Sequence, residues 1–282
     1  MLHSVQNPIS ICLVLATTLF SSSNSAFAEA PDSQVSGEAS RRLERMKARA
    51  AATEISVLKN GTSHRAEMQK TPVFRYDDQP RRILDGTLWA WGQSGRPVAL
   101  CKVEDYISNE GNRLWVQCLT SLSSERISAK WEDGREWTAT ESGLKLRQLS
   151  KGPSPRANSR LRLTQFRQIA RRFSATLIDP RHDDRQEMRL LPQPVCRYKD
   201  QESHLIDGAI FGLASNGTNP DACLVLEIRE TGGGEFVWEF GVAAMTAHAI
   251  EVKLDEDIVW SKQFTGNPND YDNWMFFSVV QE

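Results

Sequence analysis

The sequence predicts an α+β, mainly β protein made of two tandem modules, each an N-terminal helix followed by an antiparallel β-sheet or sandwich. Three observations predict it. The chain aligns with itself, each copy opens on a segment of helical periodicity, and each continues through runs of β-favouring side chains broken by turn residues.

The self-alignment is dense. Pro72-Val73-Phe74-Arg75-Tyr76-Asp77-Asp78-Gln79 falls on Pro194-Val195-Cys196-Arg197-Tyr198-Lys199-Asp200-Gln201, and Ile83-Leu84-Asp85-Gly86 falls on Leu205-Ile206-Asp207-Gly208. One inserted residue later, Pro97, Glu104, Gly111, Trp115 and Trp137 meet Pro220, Glu227, Gly234, Trp238 and Trp260. Upstream, Arg42-Leu43, Met46 and Ala50 meet Arg162-Leu163, Phe166 and Ala170. The repeat divides the chain into a first module over 29–149, a linker over 150–155 and a second module over 156–282. The linker, Ser150-Lys151-Gly152-Pro153-Ser154-Pro155, has the Pro and Gly content that denies a regular hydrogen-bonded element.

Each helix shows one apolar stripe. Leu43, Met46 and Ala50 recur at helical spacing within 36–53, and Leu163, Phe166, Ala170 and Phe173 do so in the second copy. Beyond the helices, Val98–Tyr106 with Arg113–Leu119, and Ala222–Ile228 with Phe236–Val242, flank Ser108-Asn109-Glu110-Gly111 and Thr231-Gly232-Gly233-Gly234 and read as hairpins. Turns centred on those residues place Glu104 opposite Trp115, Glu227 opposite Trp238, and Cys101 opposite Cys118.

The first 28 residues carry no Asp, Glu, Lys or Arg. They run from an apolar stretch (Ile9 to Phe20) through polar Ser21–Ser25 to Ala26-Phe27-Ala28. That pattern predicts a signal peptide cleaved after Ala28, and an exported chain, periplasmic or extracellular. The apolar run is shorter than the roughly 20 residues that span a bilayer, and no later segment is apolar enough, so no membrane insertion is expected after cleavage. The formal charge of −2, with 25% charged and 40% apolar residues, gives an ordinary globular balance without the basic field that nucleic acid rewards.

Four cysteines remain after cleavage: Cys101, Cys118, Cys196 and Cys223. Export makes disulfides reasonable, Cys101 with Cys118 and Cys196 with Cys223, while burial as small apolar side chains explains the same residues equally well. None is spaced as a zinc ligand. His64, His182, His204 and His248 are unpaired at helical spacing and read as solvated or partly buried rings, so neither metal nor cofactor is expected. Gly92-Gln93-Ser94-Gly95 lacks the final spacing of a nucleophile elbow. Asn60-Gly61-Thr62 and Asn216-Gly217-Thr218 fit the glycosylation pattern but otherwise mark surface turns. Trp89 and Trp91 share a strand face as a sugar-stacking platform would, but Phe211 and Leu213 in the second copy favour core.

The polar residues present in both copies are candidates for a ligand-binding cleft: Arg75, Tyr76, Asp78, Asp85, Arg197, Tyr198, Asp200 and Asp207, with Glu104 and Glu227 beside them. They are also what a shared structural framework of Arg–Asp pairs and Asp-Gly turns requires. The expected function is a non-enzymatic protein that binds an unknown ligand or protein partner. The alternative is a hydrolase working through Asp85, Asp207 or Glu227 of one module.

Arg189-Leu190-Leu191-Pro192-Gln193-Pro194 with Arg197-Tyr198, Asp85-Gly86-Thr87-Leu88-Trp89-Ala90-Trp91-Gly92 with Gly95-Arg96-Pro97, and Asp207-Gly208-Ala209-Ile210-Phe211 with Gly217-Thr218-Asn219-Pro220 carry a resemblance. In these motifs the chain resembles a family of exported hypothetical proteins of planctomycete-type bacteria. The resemblance spans most of the mature chain and implies a bacterial, exported origin. It implies no activity, ligand or site residue.

Overall fold

Apolar residues three and four apart form the first helix, α1 (Asp32–Ala51), which turns Met46 and Ala50 inward. A computed structural model describes residues 32–182, 184–264 and 273–281; the predicted signal peptide over 1–28 lies outside the described residues. After α1 come β1 (Thr53–Lys59), β2 (Thr62–Ala66), β3 (Phe74–Asp78), β4 (Ile83–Trp91), β5 (Ala99–Ile107), β6 (Arg113–Ser121), β7 (Arg126–Trp131) and β8 (Glu136–Thr138). A short strand, β9 (Arg147–Gln148), precedes the linker. The same order then recurs as α2 (Ser159–Ala170), β10 (Phe173–Asp179), β11 (Asp184–Leu190), β12 (Cys196–Asp200), β13 (Leu205–Ala214), β14 (Ala222–Gly232), β15 (Glu235–Ala244), β16 (Ala249–Leu254) and β17 (Asp257–Lys262). Strand β18 (Trp274–Val280) is the last described element. Among the described residues the fold is mainly β, with antiparallel sheets and two helices.

Asn158 caps α2, its side chain accepting from the Arg160 N–H at 2.7 Å. Phe173, expected on the stripe of α2, instead opens β10: the helix ends at Ala170, and the Arg171 and Arg172 amides close its last turn onto the Arg167 and Ile169 carbonyls.

In the first half, β18-β6-β5-β4-β3 form one sheet and β2-β1-β7-β8 another. In the second half β17-β16-β10-β11-β13-β14-β15-β9 run as one path with β12 on β13, because β11 joins β13 through Arg189↔Ala214 and Leu190↔Leu213. The same place in the first half is a single bridge, Met68↔Trp91.

Pairing crosses the sequence boundary at 149/150. β9, from before the linker, pairs with β15, and β18, from the far end of the chain, pairs with β6. Each long sheet is therefore finished by a strand from the other half.

Three cores result. One lies under α1 and holds Trp89, Trp91, Ile55 and Ile127; one lies under α2 and holds Phe166, Phe211, Leu224 and Val252. The third lies between the sheets, where Leu88, Leu100 and Leu122 of the first half meet Ile210, Val225 and Met245 of the second. The inner faces of the two long sheets thus pack on each other, and Thr120 Oγ1 donates to the Ala244 carbonyl across the seam at 2.9 Å. Trp89 and Trp91 are fully covered, as their expected core role requires.

Both hairpins differ from the expected register by one residue. Asp105 faces Trp115 and Ile228 faces Trp238, while Glu104 faces Val116 and Glu227 faces Glu239. The cause lies in the turns. Ser108 N–H donates to Asn112 O at 2.8 Å and Gly111 (φ +85°) sits inside, leaving three loop residues where four were expected. In the second hairpin Gly232, Gly233 and Gly234 all take positive φ, and a bulge falls between Glu230 and Gly232.

A slip of one reverses the side-chain partners, so Cys101 faces Leu119 and Cys118 faces Lys102. The expected Cys101–Cys118 disulfide is corrected accordingly: these two thiols point to opposite faces of the sheet. Cys196 and Cys223 are free as well, side chains of the core between the sheets.

Burial pushes the Cys118 and Cys196 thiols up to about 11 and Cys223 to about 12. With so little thiolate, all four should resist a thiol reagent in the native protein and react together, without added reductant, once urea unfolds it. An Ellman titration checks this; a shortfall of two thiols in urea would mean that a disulfide is present.

Candidate functional site

The residues matched between the halves tie each helix to its sheet. Asp85 on β4 receives Arg75 Nε at 2.8 Å and Arg42 Nε, from α1, at 3.3 Å. Asp207 on β13 receives Arg162 Nε, from α2, at 2.8 Å and also Arg197. Arg75 further donates to the Ala39 carbonyl and Arg197 to the Ser159 carbonyl. On the inner faces Tyr76 donates to Glu104 at 2.7 Å and Tyr198 to Glu227 at 2.9 Å. Burial, and then the neighbouring glutamate, hold both phenols well above their ordinary range. Each tyrosine ring lies flat on a glycine, Gly86 or Gly208, where a Cβ would overlap the ring.

Of the expected ligand-binding residues, Arg75 and Asp85, and Arg197 and Asp207, therefore stand on the helix sides of their sheets, while Tyr76 and Tyr198 stand on the inner faces, so they are not gathered into one site. Asp78 and Asp200 lie at the seam, each beside a positive-φ glycine of the opposite half, Gly217 and Gly95 respectively. Asp78 is buried, with Arg81 Nε 3.5 Å away, and burial raises its carboxyl above the ordinary range against the pull of Arg81. Glu227 is enclosed by Arg96 and Arg229, at 2.8 and 2.7 Å, besides Tyr198.

A cleft of about 670 Å³ opens between the halves. Its floor is the inner face of β5, β6 and β18, and its far wall is the segment before β14 and the turn after β15. Apart from Glu104, the polar side is built from residues that sequence reasoning did not select. Lys102, 5% exposed, donates to Asn219 Oδ1 at 3.0 Å and to the Pro220 carbonyl at 3.1 Å, with Glu104 Oε1 3.8 Å away. Arg81 forks onto Asp221 at 2.8 and 3.1 Å and also meets Ser215. Burial works against the Asp221 carboxylate, but Arg81 keeps it below the usual carboxylate range. The apolar side is Val116, Met245, Trp274 and the half-exposed Phe276.

His248 closes one end, its imidazole held below the ordinary histidine range by burial and so neutral near pH 7. Behind it Lys262 Nζ donates to the Ala247 and His248 carbonyls at 3.1 and 3.3 Å, and burial lowers this amine to about 8.

The matching place in the second half is crossed by a side chain of the first. Arg96, the residue before Pro97, reaches across to Glu227, whereas its counterpart before Pro220 is the short Asn219. Likewise Lys102 corresponds to Val225, Asp221 to Val98 and Arg81 to Ser203. The cleft is lined where the copies differ, and a lone lysine within the apolar run Leu100-Cys101-Lys102-Val103 marks it in the sequence.

Among the described residues, no group of three or more His, Cys, Asp or Glu side chains is placed to hold a metal ion. No family model matches the chain, and no curated protein or solved structure is significantly similar to it.

Neutralising one carboxylate of the matched clusters takes the shared counter-charge from two guanidinium groups. Asp85→Asn and Asp207→Asn should each cost about 1–3 kcal/mol, below the full value for a buried pair because the arginines reach solvent. Urea unfolding measures this, and a variant as stable as the parent would show that the pairs do not hold the helices.

Proposed function

We propose that this is an exported, non-enzymatic binding protein built from two diverged copies of a helix-plus-β module, with a small amphipathic ligand held in the cleft between them. The observation that carries the reading is the cleft itself: it pairs an aromatic and aliphatic side with a polar side of buried charges and occurs at one of two corresponding places. A matched framework and an unmatched cleft are what a duplicated gene acquires when one copy's surface is recruited for binding. The recurring element order, the paired Arg–Asp–Arg ties and the shared left-handed residues Arg82 and His204 support the duplication. Export rests on the leader pattern and on the resemblance to exported bacterial proteins.

The hydrolase alternative draws less support. Asp85 and Asp207 occupy equivalent ion-paired positions on the helix side of their sheets, away from the cleft, and Glu227 is enclosed by two arginines and a tyrosine. A general acid or base needs a proton-exchanging carboxyl within reach of substrate.

Anilinonaphthalene sulfonate, an amphipathic probe of suitable size, should bind the folded protein with a rise in fluorescence. Ser278→Trp, an exposed position on the cleft face of β18, should weaken it about tenfold, equivalent to about 1.4 kcal/mol. Binding unaffected by that substitution would remove the cleft as the ligand site.

A further inference from the structure

Most of the polar side of the cleft is engaged with itself, and two groups left over among its buried side chains define what a ligand must offer. Lys102 Nζ directs two N–H groups to Asn219 Oδ1 and the Pro220 carbonyl, with Glu104 Oε1 3.8 Å away. Arg81 is held by Asp221 and Ser215, and Arg82, exposed at the rim, donates to Asn109 Oδ1 at 2.6 Å. Glu104, 6% exposed, accepts from Tyr76 through Oε1. Its Oε2 has no hydrogen-bond partner among the described residues and is not shut away from solvent, so it opens to the cleft that Glu104 lines. Asn219, 2% exposed, turns its carbonyl to Lys102 because an ammonium only donates. Its amide Nδ2 is thereby directed elsewhere, without a partner among the described residues and open to the same cleft. One lysine thus fixes an acceptor and a donor side by side.

Glu227 shows what this position does in the other half. It accepts from Tyr198, Arg96 and Arg229 at 2.9, 2.8 and 2.7 Å, whereas Glu104 accepts from Tyr76. In the first half Asn219 stands for Arg96 and Tyr106 for Arg229, while Lys102, where the second half has Val225, supplies the counter-charge. What Glu104 lacks relative to Glu227 is therefore hydrogen-bond donors rather than a cation. Bringing a net charge to a place where Lys102 already faces Glu104 and Arg81 already faces Asp221 costs desolvation that no unpaired buried side chain offsets.

The floor sets these groups opposite an aromatic edge. In the rows that cross it, Lys102 faces Cys118, which faces Phe276, and Glu104 faces Val116, which faces Ser278. Neighbouring strands lie about 4.8 Å apart, so the polar edge on β5 and the edge on β18 that carries Trp274 and Phe276 are separated by about 10 Å. Val116 and Cys118 form the apolar strip between them. We propose that the cleft ligand is a neutral saccharide. Adjacent hydroxyls of one ring donate to Glu104 Oε2 and accept from Asn219 Nδ2, and the C–H face of the ring lies over Val116 towards Phe276. A hydroxyl both donates and accepts, so a vicinal pair meets both groups without bringing a charge. The proposal rests on the cleft being the ligand site and adds the class of ligand.

The test follows the side-chain amide signals of Asn219 in the ¹⁵N-labelled protein while the methyl glycosides of glucose, galactose and mannose are added in turn. At least one should shift these signals to saturation with a Kd of about 1 mM, and Ser278→Trp should remove the shift. For the glycoside that binds best, the corresponding uronate and 2-amino sugar carry a negative and a positive charge on the same ring, and each should bind roughly 5–10-fold more weakly. Phe276→Ala should weaken the neutral sugar roughly 2–10-fold through loss of the aromatic ring. Asn219→Ala should do so by a similar factor through loss of the donor. Should Asn219→Ala fail to fold, Phe276→Ala, at an exposed position, and the charged sugars keep the outcome decisive. The saccharide is ruled out if no glycoside shifts Asn219 at about 50 mM, far above the expected Kd. It is equally ruled out if the shift survives Ser278→Trp, if Phe276→Ala binds as the parent does, or if either charged sugar binds as tightly as the neutral one. A cleft that binds anilinonaphthalene sulfonate but no glycoside loses only the saccharide, whereas binding of neither removes the cleft as a ligand site.

Discussion

The structure depends on one constraint: two β-sheets bury their inner faces against each other, and each sheet is completed by a strand from the opposite half. Leu88, Leu100 and Leu122 of the first half share one core with Ile210, Val225 and Met245 of the second. The exchanged strands β9 and β18 cover edges of β15 and β6 that would otherwise present unpaired N–H and C=O groups. Neither half completes its long sheet with its own residues. The polar seam adds specificity of alignment, since Arg81 with Asp221, Arg96 with Glu227 and Lys102 with Asn219 each join a residue before the linker to one after it.

Much of this architecture is legible in the sequence because it follows from local periodicity and repetition. The two helices, the hairpins around Gly111 and Gly232–Gly234, and the burial of Trp89 and Trp91 follow from patterns a few residues long. The hairpin register was not legible to the last residue. Loop size depends on which residue adopts positive φ, and Gly111 shortens one loop while the glycine run bulges the other. That single step changed the expected partners of Cys101 and Cys118 and with them the expected disulfide. The strand exchange was also hidden, since β9 is two residues long and β18 belongs to no repeated motif.

The candidate site shows a different limit. Residues that agree between the halves are those the fold needs twice: arginines that clamp a helix, a tyrosine over a glycine, a glutamate that accepts from the phenol. The cleft lies where the halves disagree. Lys102 against Val225, Asp221 against Val98 and Asn219 against Arg96 open a cleft on one side and close it on the other.

Interlocked halves should behave as one cooperative unit. The most direct measurement is equilibrium urea unfolding followed at once by tryptophan emission, far-UV circular dichroism and the indole N–H signals of Trp89 in the first half and Trp238 in the second. Coincident midpoints and slopes for all probes are the result that shared sheets and a shared inner core require. Two separated transitions, one for each tryptophan, would contradict the account, because they would mean that each half keeps its fold after the other is lost.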